Sequence, residues 1–181
     1  MDPKVAFFIA QGVSIFTGII AITMMQLKNM KIVLVLQILA NLLASSNYLL
    51  LGGGSGAIVS LLAVLCSVVM FLYNNKGMKP HLSVALAFIA AYLASSVYNV
   101  IITHDFMEIF PAISAVCFVI SLIQTKTSYF RIWGALNPMF WIPYDLHTSS
   151  YVMSVVHLGI LVSSLIGMLR LDRRKEENSD S

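Results

Sequence analysis

Apolar residues along this chain fall into seven long blocks separated by short polar breaks. The blocks run approximately over residues 5–26, 32–51, 57–74, 82–103, 106–124, 129–147 and 151–170. Each is close to the roughly 20 residues that a helix needs to cross a bilayer core. The pattern predicts an all-α integral membrane protein of about seven transmembrane helices. Residues 1–171 form a single membrane domain and residues 172–181 a disordered cytoplasmic tail. The sixth block is the most polar, holding Arg131, Pro138, Pro143 and Asp145. The break between the fourth and fifth is only Thr103-His104-Asp105. The first block is too long for a signal h-region and no small-x-small cleavage site follows it, so it reads as a retained helix. The run Gly52-Gly53-Gly54-Ser55-Gly56 reads as a flexible outer turn. No Lys-Ser or Lys-Thr follows it, so it is no phosphate loop.

The positive charges orient these blocks. The breaks after helices one, three and five, with the C-terminal tail, hold Lys28, Lys31, Lys76, Lys79, Lys126, Arg131, Arg170, Arg173, Arg174 and Lys175. The opposite side holds Lys4 alone. Cytoplasmic loops carry such an excess, so the N-terminus is expected outside and the C-terminus in the cytoplasm.

Composition agrees with a lipid solvent. The chain of 181 residues is 59% hydrophobic and 10% charged, with a mean hydropathy of +0.87. A soluble domain carries about 25% charged residues. The formal net charge of +3 does not point to nucleic acid, because no contiguous basic face can form from isolated residues between apolar blocks. Cys66 and Cys117 each lie inside an apolar block, where a thiol behaves as a small hydrophobe, and neither a disulfide nor a metal site is expected. No cofactor is expected either.

Two internal repeats compete. In the first, helices one to three match helices five to seven, with the fourth as linker (5–74, 82–103 and 106–171). Gln26-Leu27-Lys28 then corresponds to Gln124-Thr125-Lys126. The next helix repeats a face, Gln37, Asn41, Ser45 and Tyr48 answering to Trp133, Asn137, Trp141 and Tyr144. Spacings of four, four and three place such residues on one helical stripe. This is a 3+1+3 plan of two parallel triplets. In the second, Leu43-Ala44-Ser45-Ser46-Asn47-Tyr48 matches Leu93-Ala94-Ser95-Ser96-Val97-Tyr98, which suggests a repeated helical hairpin. Both preserve orientation.

Three short motifs resemble the YgjV-type family of bacterial inner-membrane proteins. They are Ala10-Gln11-Gly12 in the first helix, Leu50-Leu51-Gly52 with Gly56-Ala57 at the first outer turn, and Glu108-Ile109-Phe110-Pro111 opening the fifth helix. The resemblance covers most of the chain and implies a bacterial inner-membrane location. That family is distantly similar to the SWEET and PQ-loop carriers, which share the 3+1+3 plan with an outside N-terminus. Those carriers place hinge prolines in the first two helices of both triplets. Here Pro111 and Pro138 or Pro143 suit the second triplet, and the first has none inside its helices.

Polar side chains within a bilayer usually face the bundle interior or water. Asn41 and Asn137, near the middle of helices two and six, are candidate substrate-binding amides, with plain interhelical hydrogen bonding as the alternative. Trp133 and Trp141 flank Asn137 on its own face. Trp141 lies deeper, as a candidate aromatic wall for a sugar-like or nucleoside-like solute. Tyr48 and Tyr144 lie towards an outer gate. Asp145 and Glu108, near the outer ends of helices six and five, are expected to stay hydrated, with gating or proton coupling as the functional alternative. His157, one or two turns into helix seven, is a further gating candidate. Catalytic motifs with metal-ligand or nucleophile spacing do not occur, so an enzyme is not expected. The expected function is a small carrier or facilitator for an unidentified small polar solute, by alternating access between the triplets. The alternative is a membrane interaction or regulatory protein that transports nothing. The bilayer is the expected partner, and a homo-oligomer fits either function.

Overall fold

The computed structural model describes residues 2–25, 27, 29–124 and 127–168. Seven helices follow one another there: α1 (Pro3–Met25), α2 (Met30–Leu51), α3 (Gly54–Asn75), α4 (Leu82–Thr103), α5 (Phe110–Ile123), α6 (Thr127–His147) and α7 (Tyr151–Gly167). A 3-10 turn, Phe106–Ile109, leads into α5. The chain is a seven-helix membrane protein. By length and hydropathy, α1 to α4 and the 3-10 turn with α5 are candidate spans, and α7 is a shorter apolar helix. α6 is not in that set, since it carries two prolines and a stretch of polar side chains. Its 21 residues nevertheless extend about 31 Å at the α-helical rise, enough for a hydrocarbon core.

The helix ends explain how the chain reverses. Gly52 has φ 77°, and the Gly53 amide donates back to the Tyr48 carbonyl at 2.8 Å. α6 ends in the same way. Ser149 has φ 59°, and the Ser150 amide donates to the Asp145 carbonyl at 2.8 Å. Such reversed bonds satisfy carbonyls that the last helical turn leaves without donors. The glycine run is therefore a turn only in its first two residues. Gly52 and Gly53 make a tight reversal, and α3 begins at Gly54.

α2 packs between α1 and α3, and α6 between α5 and α7. α1 also meets α7, and α3 meets α5, so these six helices close into a ring. α4 lies outside it, against α3, α5 and the 3-10 turn. Its outer face, with Leu86, Leu93, Val97 and Ile101, is exposed. Phe8, Phe16, Leu49 and Val155 are likewise exposed on other helices, an apolar exterior suited to lipid.

The start of α1 and the α2–α3, α4–α5 and α6–α7 connections share one end of the ring, here the glycine-turn end. Lys31, Lys76 and Lys79 mark the opposite, lysine end. Lys28, Lys126, Arg170, Arg173, Arg174, Lys175 and the tail at 172–181 lie outside the described residues, as does the side chain of Arg131.

The glycine-turn end is tied by two amides. Asn47, fully buried, donates to the Ala10 carbonyl and to Ser14 Oγ, both at 2.7 Å. Its Oδ1 accepts from the Ser150 hydroxyl at 3.0 Å. Gln11 Oε1 accepts from the Val152 amide at 3.0 Å, and Gln11 Nε2 donates to the Ser149 carbonyl at 3.2 Å. Gln11 thus caps α7 from α1, satisfying a first-turn amide that has no partner within its own helix.

Candidate functional site

The ring encloses a cavity of about 100 Å³. All six ring helices line it and α4 does not. Its wall is mostly apolar, with Ala40, Ala63, Ala115 and Val156 among the lining residues, and its polar groups include Gln37, Asn41, Ser60, Asn137 and His157. Among the described residues no carboxylate, lysine or arginine lines it.

Asn41 and Asn137 both reach the wall, and they do different things there. The Asn41 amide nitrogen is buried without a hydrogen-bond partner. A buried donor left unmade costs free energy that a bound acceptor would restore. Asn137 is already engaged. Its Nδ2 donates to the Ser114 carbonyl at 2.9 Å, and the Ser114 hydroxyl donates to the Asn137 carbonyl at 2.9 Å. This reciprocal clasp joins α5 to α6. Next to it, Pro138 has no N–H to offer the carbonyl of Gly134, a wall residue, so α6 lacks one ladder hydrogen bond there. The stripe around these amides is only partly kept. Ser45 turns to α3 and donates to the Ala57 carbonyl at 3.1 Å. Trp133 is half-buried and outside the wall.

Towards the glycine-turn end the cavity meets three parallel rings. Trp141 lies in the middle, stacked on Tyr48 at 5.3 Å and 12° and on His157 at 5.7 Å and 9°. Asp145 bridges the two outer rings. Its Oδ1 accepts from the Tyr48 hydroxyl at 2.6 Å, and its Oδ2 lies 2.5 Å from His157 Nδ1. Tyr144 packs edge-on against Tyr48 and Trp141. Its hydroxyl oxygen accepts from the Gly56 amide at 2.9 Å and the Ser55 hydroxyl at 3.1 Å. The approach at Gly56 is close: a Cβ there would lie 2.7 Å from Tyr144 Cε1 and 2.9 Å from Tyr48 Cγ. The cluster spans α2, α3, α6 and α7, closing this end of the ring.

Two expectations are corrected here. Asp145 is not hydrated but 0% exposed, because the last turn of α6 is enclosed by α2 and α7. Glu108 is also buried, at 8% exposure. The 3-10 turn that carries it packs against α4 and α6, and Glu108 Oε2 has no hydrogen-bond partner. Asp105, at the same end, is only half-buried. Its Oδ1 caps the Met107 amide at 2.9 Å and its Oδ2 meets His147 Nε2 at 2.5 Å. The Met107 hydrogen bond, helped by His147, holds the Asp105 carboxyl below the usual carboxylate range.

Asn47, Ser14, Ser55 and Ser114 were not singled out from the sequence as site residues. Asn47 was the most accessible of them, since it stands beside Tyr48 in the repeated Ala-Ser-Ser segment.

Among known proteins, the family model described as Imp-YgjV, bacterial inner membrane protein, matches residues 8–175. The chain belongs to this family of bacterial inner-membrane proteins. The matched stretch contains every residue of the cavity wall, from Thr17 to Ile160. No curated protein and no solved structure matches the chain.

Proposed function

We propose that this protein is a small carrier or facilitator for an uncharged polar solute, working by alternating access between the triplets α1–α3 and α5–α7. The observation that carries this is the cavity enclosed by all six helices, with the unpartnered Asn41 amide on its wall. Carriers built from repeats place their sites at such midplane interfaces. A non-transporting interaction protein has no need of an open space there. The distant resemblance to SWEET and PQ-loop carriers supports the same plan. With the lysine end in the cytoplasm, as the charge bias implies, the stacked cluster faces outwards and the cavity lies on its inner side.

The wall sets the solute class. Among the described residues it carries no carboxylate, lysine or arginine, so an ionic solute would be desolvated without compensation. It presents the Asn41 amide donor beside the Tyr48 and Trp141 rings, which suit a small neutral solute with acceptors. At about 100 Å³ the cavity is smaller than the roughly 150 Å³ that holds benzene in an engineered core. A solute of a few heavy atoms fits this state, while a sugar or nucleoside needs the triplets to separate.

The test is thermal unfolding of the detergent-solubilised protein against a panel of uncharged polyols, amides, sugars and nucleosides. Ligand a hundredfold above its Kd stabilises the fold by about 2.7 kcal/mol. A shift for a subset of the panel that Asn41→Ala abolishes is the expected result. A shift that survives Asn41→Ala would remove that residue from the site.

A further inference from the structure

The Asp145 cluster does more than close one end of the cavity. Building on the carrier function above, we propose that Asp145 and His157 form a proton site loaded from the cavity. Loading it loosens the Tyr48–Asp145 bond that holds α2 to α6.

Asp145 is fully buried, and no lysine or arginine pairs with it among the described residues. Its two oxygens instead take one bond each, from Tyr48 and from His157. A buried carboxylate held only by a hydroxyl and an imidazole retains its charge at high cost, so a proton is the natural counter-charge. His157 supplies the route. It lines the cavity, its Nδ1 faces Asp145, and its Nε2 has no partner among the described residues. Trp141 lies flat against its ring at 5.7 Å, a distance at which an indole stabilises a passing positive charge.

A proton from cavity water binds the Nε2 lone pair, and the imidazolium that forms donates its Nδ1–H to Asp145 Oδ2. One proton has been added, and the Asp145–His157 pair is neutral overall. The Tyr48 hydroxyl, which had donated to a carboxylate without a counter-charge, now donates to one whose charge is shared with a cation. Charge-assisted hydrogen bonds are roughly twice as strong as neutral ones, so drawing that charge towards His157 weakens the link between the triplets and the open state gains population.

Other groups around this site are few. Tyr48 comes from α2 and Tyr144 from α6, with Glu108 of the 3-10 turn beyond Tyr144. α1 brings the exposed Lys4 at its start, the Gln11 amide and the Ser14 hydroxyl to this end, and α3 the Ser55 hydroxyl, while the buried thiols Cys66 and Cys117 lie further towards the lysine end.

Trp141 is a built-in reporter. With Trp133→Phe it becomes the sole tryptophan, and an imidazolium stacked on an indole quenches its emission. The protein in nanodiscs, without any solute, is titrated between pH 9 and pH 5. Emission is expected to fall on acidification, with His157→Gln abolishing the fall and Asp145→Asn moving its midpoint to lower pH. The latch is read by Ser55→Cys in a Cys66→Ser, Cys117→Ser background. Its labelling by a water-soluble maleimide at fixed pH is expected to quicken several-fold when Asp145→Asn is added. Tyr48→Phe, which keeps the stacked ring, is expected to quicken it likewise, so the outcome does not hang on one variant's folding. An emission curve that is flat, or unchanged by His157→Gln, overturns the proton site. Labelling unchanged in both variants overturns the latch. Neither readout depends on a solute, so a failure here is distinct from a failure of the carrier function.

Discussion

Tyr48 and Asp145 occupy equivalent places in two different helices, and they are hydrogen-bonded to each other at 2.6 Å. Each stands four residues before the left-handed residue that ends its helix, Gly52 or Ser149, and each carbonyl accepts the reversed amide bond of that ending. The ends of α2 and α6 are thus built alike and joined side chain to side chain. The correspondence is offset by one from the stripe read in the sequence, which sets Tyr48 against Tyr144.

Removing the two partners of this bond is expected to cost unequal amounts. Tyr48→Phe keeps the ring on Trp141 and loses one hydrogen bond, about 1 kcal/mol. Asp145→Ala strands both the Tyr48 hydroxyl and His157 Nδ1, at about 3–5 kcal/mol. Unfolding of the two variants in mixed micelles measures the difference, and equal losses would contradict the bridging role of Asp145.

Asn41 and Asn47 are expected to separate function from stability. Asn47→Ala deletes three hydrogen bonds among α1, α2 and the α6–α7 turn, and is expected to destabilise by about 2 kcal/mol. Asn41→Ala removes a donor that has no partner, so its melting temperature should stay close to that of the parent while solute binding falls. Melting curves of both variants check the contrast.

Gly56→Ala is expected to destabilise by about 1–3 kcal/mol, because its methyl overlaps the rings of Tyr144 and Tyr48 in a packed cluster. Gly134→Ala is the control. Nothing lies within 4 Å of its Cβ position, so the helix tolerates it or gains slightly. Comparable losses in the two would show that the contact at Gly56 is slack.

At the surface, Asp105 predicts an acid limb. Its carboxyl is held below the ordinary value by the Met107 amide and then by His147. A lowered carboxyl contributes stability above its unfolded pKa, about 3.9, and loses it as pH falls through the lower folded value. Asp105→Asn should therefore flatten the fall of melting temperature below about pH 4. An unchanged slope would contradict the capping assignment.

Much of the fold is legible in the sequence for a plain reason. Lipid demands about 20 apolar residues per crossing, and seven blocks of that length can hardly be misread. The blocks at 82–103 and 32–51 match α4 and the greater part of α2. Burial of single polar residues is less legible. Asp145 lies two residues from the end of α6, where distance along the helix suggests water, yet partners 97 and 12 positions away enclose it. Glu108 misleads likewise, because the 3-10 turn before α5 folds inwards. Asn41 and Asn137 look equivalent by spacing, and only the position of Ser114 on a neighbouring helix makes one of them a clasp and leaves the other free.

Transport itself is best measured by swelling. Proteoliposomes are exposed to isosmotic gradients of the uncharged panel, and light scattering follows solute entry in a stopped flow. The expected result is that at least one small neutral solute enters faster than into protein-free liposomes, and that Asn41→Ala slows it. Entry rates equal to those of empty liposomes for every solute, with the protein folded and inserted, would contradict the carrier function.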